Sequence, residues 1–294
     1  MKKGALYVAS AYILWGFFPI YFKFLQAAPS QQIVGHRIVW SFLFLLLVIF
    51  LRREFSAFKR KITWRVFSIY LIAGVLLSIN WLTYVWGVNA GFVVEASLGY
   101  FINPLVSILL GVIILHEKIR PAQWIPVGLA FAGVVYLTLT YGALPWIALV
   151  LAFSFGLYGL MKKIAPLGTL DGLVLETGSV FLPALGLLLF AQFSGVGAFG
   201  HVNLVTTLLL AFSGIITAVP LLLFANGARH VPLTVMGLLQ YITPTLQFLI
   251  GVLIYGETFT HDRLIGFSII WLALVMFSAE NLINHRRLAL APAD

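Results

Sequence analysis

The sequence predicts an all-α integral membrane protein of ten transmembrane helices, arranged as two five-helix repeats of inverted topology. Three observations predict it. The 294-residue chain is 62% hydrophobic and 9% charged, with a mean hydropathy of +1.05, which leaves too few charges to coat a soluble globule of that length. Its apolar residues fall into ten runs, each long enough to cross about 30 Å of hydrocarbon. The stretch EASLGYFINPLVSILLGVIILHE, residues 95–117, returns without a gap as VMGLLQYITPTLQFLIGVLIYGE, residues 235–257.

The predicted spans of the first half are residues 4–25, 33–51, 66–86, 94–115 and 124–140. Those of the second half are 144–161, 172–193, 204–224, 233–255 and 264–282. The first run is as long as a full span and no small-residue cleavage site precedes the next, so it reads as a retained helix rather than a signal peptide. Connections are short and rich in helix breakers, such as Ala28-Pro29-Ser30 and Tyr141-Gly142, and none has room for a soluble domain. The chain therefore divides into repeats at 1–140 and 141–282, with a tail at 283–294.

An offset of 140 pairs Gly16 with Gly156, Lys23 with Lys163, Gly74 with Gly214, Gly87 with Gly227, Pro104 with Pro244 and Glu117 with Glu257. Because each half holds an odd number of spans, the second enters the membrane from the opposite side. Inverted repeats of this kind place a substrate site at the repeat interface near the midplane.

Charge fixes the expected orientation. If the amino terminus is cytoplasmic, 15 of the 18 Lys and Arg residues fall on the cytoplasmic side, and only Lys23, Arg37 and Arg263 lie elsewhere. That bias, rather than nucleic-acid binding, accounts for the net charge of +9 and predicts a plasma (inner) membrane protein with both termini cytoplasmic. The basic segment 52–65 also carries Phe55, Phe58 and Trp64. It reads either as a solvated loop that fixes topology or as an amphipathic segment on the anionic leaflet.

Several chemistries are excluded. With no cysteine there is no disulfide, thiolate nucleophile or cysteine metal site. Residues 195–200 fit GxGxxG but lie in a loop between membrane helices, with no strand before them. His116-Glu117 begins like a zinc signature, yet the fourth position after His116 is Arg120. No metal or cofactor is expected, and without a P-loop there is no ATP site.

The candidate binding residues lie on the repeated face. Ser97, Tyr100, Pro104, Ser107 and Gly111 step by 3, 4, 3 and 4, as do Gly237, Gln240, Pro244, Gln247 and Gly251, which puts each set on one helix face suited to another helix or a cavity. Tyr100, Asn103, Gln240 and Thr243 are expected to share one cavity. Trp15, Trp81, Tyr158 and Tyr241 sit mid-span near small or polar faces and could stack on an aromatic ligand, while Asn80 offers either a ligand contact or interhelical glue. Pro104 and Pro244 supply a kink or a freed carbonyl.

Among the ionisable residues within spans, where a charge costs about 2.5–3.5 kcal/mol, four are candidates for a role. Arg37 either snorkels to the outer interface or pairs with Glu95 or a substrate carboxylate. His36, Glu95 and Glu176 are candidates to carry a coupling proton, with helix capping the alternative for Glu176.

The blocks Trp15-Gly16, His36-Arg37, Asn80-Trp81, EASLGYFINPL and QYITPT resemble RarD-type permeases of the drug/metabolite transporter superfamily, the EamA-like group. The similarity runs over about residues 4–282, and the block at 95–104 is specific to the RarD branch. It implies the ten-helix fold of that superfamily and a carrier that exports amino acids, metabolites or drugs, with an association between RarD and chloramphenicol sensitivity. The expected function is thus a secondary permease working by alternating access. Its expected partners are a small organic substrate, protons as the candidate coupling ion, and the lipid bilayer. Two other readings stand beside it. An intramembrane enzyme acting on lipid would need a nucleophile or metal constellation, and a channel would need a ring of like charges or filter loops. The spacing matches neither, and a non-transporting receptor is the remaining alternative.

Overall fold

The computed structural model describes residues 2–90, 92–142, 144–256 and 260–290. Every regular element among them is a helix. In chain order these are α1 (Lys2–Gly16), α2 (Phe18–Lys23), α3 (Ser30–Leu51), α4 (Phe55–Arg60), α5 (Trp64–Asn89), α6 (Val93–Ile113), α7 (Pro121–Tyr141), α8 (Trp146–Ile164), α9 (Thr169–Ser179), α10 (Phe181–Phe193), α11 (Leu204–Ala228), α12 (Leu233–Gln240), α13 (Ile242–Leu253) and α14 (His261–Leu290). The breaks follow local chemistry. Pro19 and Pro121 sit in first turns, where the missing N–H would be unpaired anyway. Gly142 ends α7 at φ +77°, a conformation glycine adopts without a Cβ clash. Asn203 opens α11 by accepting the Thr206 N–H at 2.7 Å.

Seven continuous helical runs are long and apolar enough to cross a membrane. The pair α9 and α10, bent by 46°, makes up to eight. In α6 and α14 the apolar stretches found among the described residues are shorter, Leu98–Ile113 and Leu264–Glu280. The helical runs come in the predicted order. Large apolar side chains face outward along their length, including Leu182, Phe190, Phe193 and Leu253, as expected where the surrounding medium is hydrocarbon rather than water.

Packing between the two parts of the chain is reciprocal. Helix α1 packs on α11 as α8 packs on α5, and α3 packs on α11 as α9 packs on α5. Helix α6 lies against α8 while α1 lies against α12 and α13, and α7 pairs with α14. Glycines set the closest of these approaches. A Cβ on Gly237 would stand 2.6 Å from the Pro104 carbonyl oxygen and 3.1 Å from the Ser107 Cβ, so α12 and α6 touch backbone to backbone. Part of the repeated small-residue stripe is therefore a helix contact.

The basic segment after α3 is a folded piece of the structure. Phe58 in α4 is buried, and Phe55 stacks on Phe50 with ring centroids 4.5 Å apart. Lys61 reaches Asp171 at the start of α9, Nζ to Oδ2 at 2.6 Å, while Trp64 stays exposed. Glu117, just beyond α6, caps α12: its two carboxylate oxygens accept the Leu233 and Thr234 N–H groups at 2.7 and 2.9 Å, with Lys163 Nζ at 3.5 Å. The carboxylate thus satisfies N–H groups that a helix start leaves orphaned. Its repeat partner Glu257 lies outside the described residues.

Candidate functional site

The two parts of the chain line a cavity with about 50 Å³ of space for the centres of water-sized molecules. Helices α1, α2, α3, α5 and α6 supply one side of its wall, and α8, α12 and α13 the other. In its lining Tyr12, Asn103, Gln240 and Thr243 are buried, and Phe18, Phe22, Tyr84 and Gln247 are half-buried. Helical periodicity explains why these side chains meet. Tyr12, Trp15, Phe18 and Phe22 recur every three or four residues along one face of the first rod, as do Asn80 and Tyr84 on α5 and Leu151 and Phe155 on α8.

Much of the polar lining is already engaged in holding helices together. The Asn80 amide donates to the Leu151 carbonyl at 2.9 Å and to Ser154 Oγ at 3.0 Å, joining α5 to α8. Thr243 Oγ1 donates to the Tyr12 carbonyl at 2.9 Å, and Gln247 Nε2 to that of Trp15 at 3.3 Å, so the α1 backbone is tied to α13. Gln240 differs: its Oε1 is buried and has no hydrogen-bond donor among the described residues.

Arg37 is the charged group of the cavity wall. It is 2% exposed, and its Nε donates to Thr217 Oγ1 at 3.0 Å. Its Cζ lies 4.0 Å from the Trp81 ring centroid, with Phe18 and Phe22 at 5.3 and 5.5 Å, an aromatic cage that stabilises a cation through the ring quadrupoles. No carboxylate among the described residues lies within 4.0 Å of it. The side chain of Glu95, the expected partner, lies outside the described residues.

One end of the cavity is closed by rings. Trp15 meets Tyr12, Phe155 and Phe224 at 5.8, 5.6 and 5.5 Å, and Phe224 stacks on Tyr158 at 5.9 Å and 13°. Behind this layer lies a buried ion pair. Lys162 Nζ donates to Glu176 Oε2 at 2.6 Å, with side chains 4% and 1% exposed, and the ammonium sits 5.5 and 5.9 Å from the rings of Tyr158 and Tyr70.

Of the thirteen residues singled out in the sequence, the structure places Trp15, Arg37, Asn80, Trp81, Tyr100, Asn103, Gln240 and Thr243 in the wall of this one cavity. It places four elsewhere. His36 is stacked on Phe199 at 5.1 Å and accepts from Trp40 Nε1 at 3.2 Å. Tyr241 is buried against Phe101, to whose carbonyl its hydroxyl donates at 3.3 Å. Tyr158 and Glu176 belong to the cluster behind the ring layer, where Glu176 holds Lys162 and caps no helix. Glu95 is the thirteenth. Sequence reasoning missed Tyr12, Phe18, Phe22, Tyr84 and Phe155, although the helical spacing that finds them was present, and it placed Gln247 only on the repeated stripe. It also counted Lys162 only as a topology charge.

The EamA-like transporter family matches the chain twice, over residues 2–139 and 144–279. The uncharacterized transporter YojE of Bacillus subtilis (strain 168) is 47% identical over 94% of each chain. Protein RarD of Streptomyces exfoliatus is 43% identical over 97% of this chain and 91% of that one. A Pseudomonas aeruginosa protein named chloramphenicol-sensitive protein RarD is 29% identical over 93% of each. A solved crystal structure superposes with a TM-score of 0.71 over 94% of this chain and 97% of that one, at 17% identity, which is a likeness of fold. The chain is a multi-pass membrane transporter rather than an enzyme, and it belongs to the EamA-like transporter family.

Proposed function

We propose that the protein is a secondary carrier that moves small organic molecules through the cavity by alternating access. The observation that carries this reading is the composition of the cavity wall, drawn from both halves of the chain, as expected of a site at the interface of two repeats. The reciprocal helix contacts support ten spans in two inverted halves at 1–140 and 141–282, with α6 and α14 as the remaining two spans. With the amino terminus in the cytoplasm, as the charge distribution supports, the half-buried rim at Phe22 and Tyr84 faces outward. The ring layer at Tyr12, Trp15, Phe155 and Phe224 then closes the inner side, and export requires it to open.

Proton coupling completes the reading. Glu176 and Lys162 lie behind the layer that must part, so inward opening brings water to the pair, and protonation of Glu176 would release Lys162. The chain is further proposed to share with its named relative an association with chloramphenicol sensitivity. The decisive measurement begins with a metabolite profile of cells with and without the protein. Compounds that change are then tested for flux in proteoliposomes. Saturable flux with counter-transport is expected, whereas flux that rises linearly without saturation defeats the carrier reading.

A further inference from the structure

Resting on that carrier reading, we propose that the cavity is selective for aromatic carboxylates bearing a hydrogen-bond donor, with Arg37 gripping the carboxylate and Gln240 Oε1 receiving the donor. Three features of the wall specify this chemistry. Arg37 is a guanidinium at 2% exposure with no carboxylate among the described residues within 4.0 Å, so no described acid offsets a positive charge that is costly in this medium. The geometry of the side chain says what shape of anion it takes. Trp81 covers one face of the guanidinium at 4.0 Å, and Thr217 accepts from Nε, so an anion would meet the edge that carries the two terminal nitrogens. A planar carboxylate accepts two parallel bonds from such an edge.

The second feature is Gln240. Its Oε1 is an acceptor, 97% buried as a residue and without a donor among the described residues, in the wall of the same cavity. A buried acceptor left unpaired costs about 1–3 kcal/mol, and a ligand hydroxyl or N–H removes that cost. The third is the set of rings in the same wall, Trp15, Trp81, Tyr100 and Phe155, which favour a flat apolar body over an aliphatic one. Glu95, one turn before Gly99 on α6, is the partner that the sequence offers Arg37, so the test removes it separately.

The test uses the full chain in lipid nanodiscs and isothermal titration with 4-hydroxybenzoate, benzoate and the neutral 4-hydroxybenzamide. Wild type should bind 4-hydroxybenzoate roughly tenfold or more tightly than the amide, the margin of one charge-assisted interaction. Arg37→Gln should erase that preference while keeping the amide affinity, Gln240→Leu should lower 4-hydroxybenzoate to the level of benzoate, and Glu95→Gln should leave the preference in place. If Arg37→Gln does not fold, Arg37→Lys keeps the charge without the fork and should lose most of the preference. The proposal is overturned if the amide binds as tightly as the acid, if no acid binds at millimolar concentration, if the Arg37 variants leave acid affinity unchanged, or if an anion preference emerges only after Glu95→Gln. A neutral aromatic that is bound and moved saturably without such a preference sinks this proposal alone. Loss of saturable flux for every ligand sinks the carrier reading beneath it.

Discussion

The Lys162 and Glu176 pair ties α8 to α9 across a distance of 2.6 Å, with both side chains almost fully buried. At an effective dielectric of about 20 the attraction at that distance is about 6 kcal/mol. Desolvating the two ions opposes it by several kcal/mol each, so the intact pair contributes little net stability. Removing one member is another matter. Lys162→Met leaves the Glu176 carboxylate buried without its cation, and Glu176→Leu leaves a buried ammonium; each single change should cost about 3–5 kcal/mol. The double variant Lys162→Met/Glu176→Leu strands no charge and keeps similar volume, so it should lie within about 1 kcal/mol of wild type or above it. Unfolding of the detergent-solubilised protein with increasing denaturing detergent, followed by tryptophan fluorescence, supplies the four free energies. Two single-variant costs that sum to the double-variant cost within about 0.5 kcal/mol would refute the claim that these residues act as one buried unit.

Four further outcomes follow from the same geometry. Glu176→Gln should abolish pH-driven accumulation in proteoliposomes yet leave substrate exchange largely intact; unchanged pH-driven transport removes Glu176 from the coupling scheme. Glu117→Ala deprives the start of α12 of its cap and should lower stability by about 1–2 kcal/mol, read as a fall in melting temperature, whereas an unchanged melting temperature contradicts the capping role. Gly237→Ala forces a Cβ to within 2.6 Å of the Pro104 carbonyl oxygen and should cost about 1–3 kcal/mol through separation of α12 from α6, while the same change at Gly186, whose Cβ would meet nothing within 4 Å, should be nearly silent. Cysteines placed at Ser56 and Ser194, both exposed, should be labelled from opposite sides of the membrane in this cysteine-free chain; labelling of both from outside reverses the topology argument.

The sequence by itself determined the class of protein, the order of its helical runs and the duplication of its pattern, because these depend on composition and on local periodicity that any lipid-embedded helix must obey. A run such as residues 204–224 is apolar whatever surrounds it, and it emerges as α11. Periodicity also marked Tyr100, Asn103, Gln240 and Thr243 as lying on distinctive faces. It could not separate a cavity face from a contact face: Tyr100 and Asn103 open on the cavity, while Ser107, one turn on, meets Gly237 across a backbone contact. Only the tertiary structure decided between them, since the distinction depends on what the partner helix presents at that height. The same holds for the charges. Whether Lys162 reaches solvent or Glu176 is set by where α9 packs, on α3, α5 and α11, and whether Arg37 snorkels or turns inward is set by Trp81 on α5 and Thr217 on α11. Those residues are 44 and 180 positions away in the chain, beyond the reach of any local pattern. Side-chain character is written in the sequence, but the partner that gives a buried charge its role is chosen by packing between distant helices.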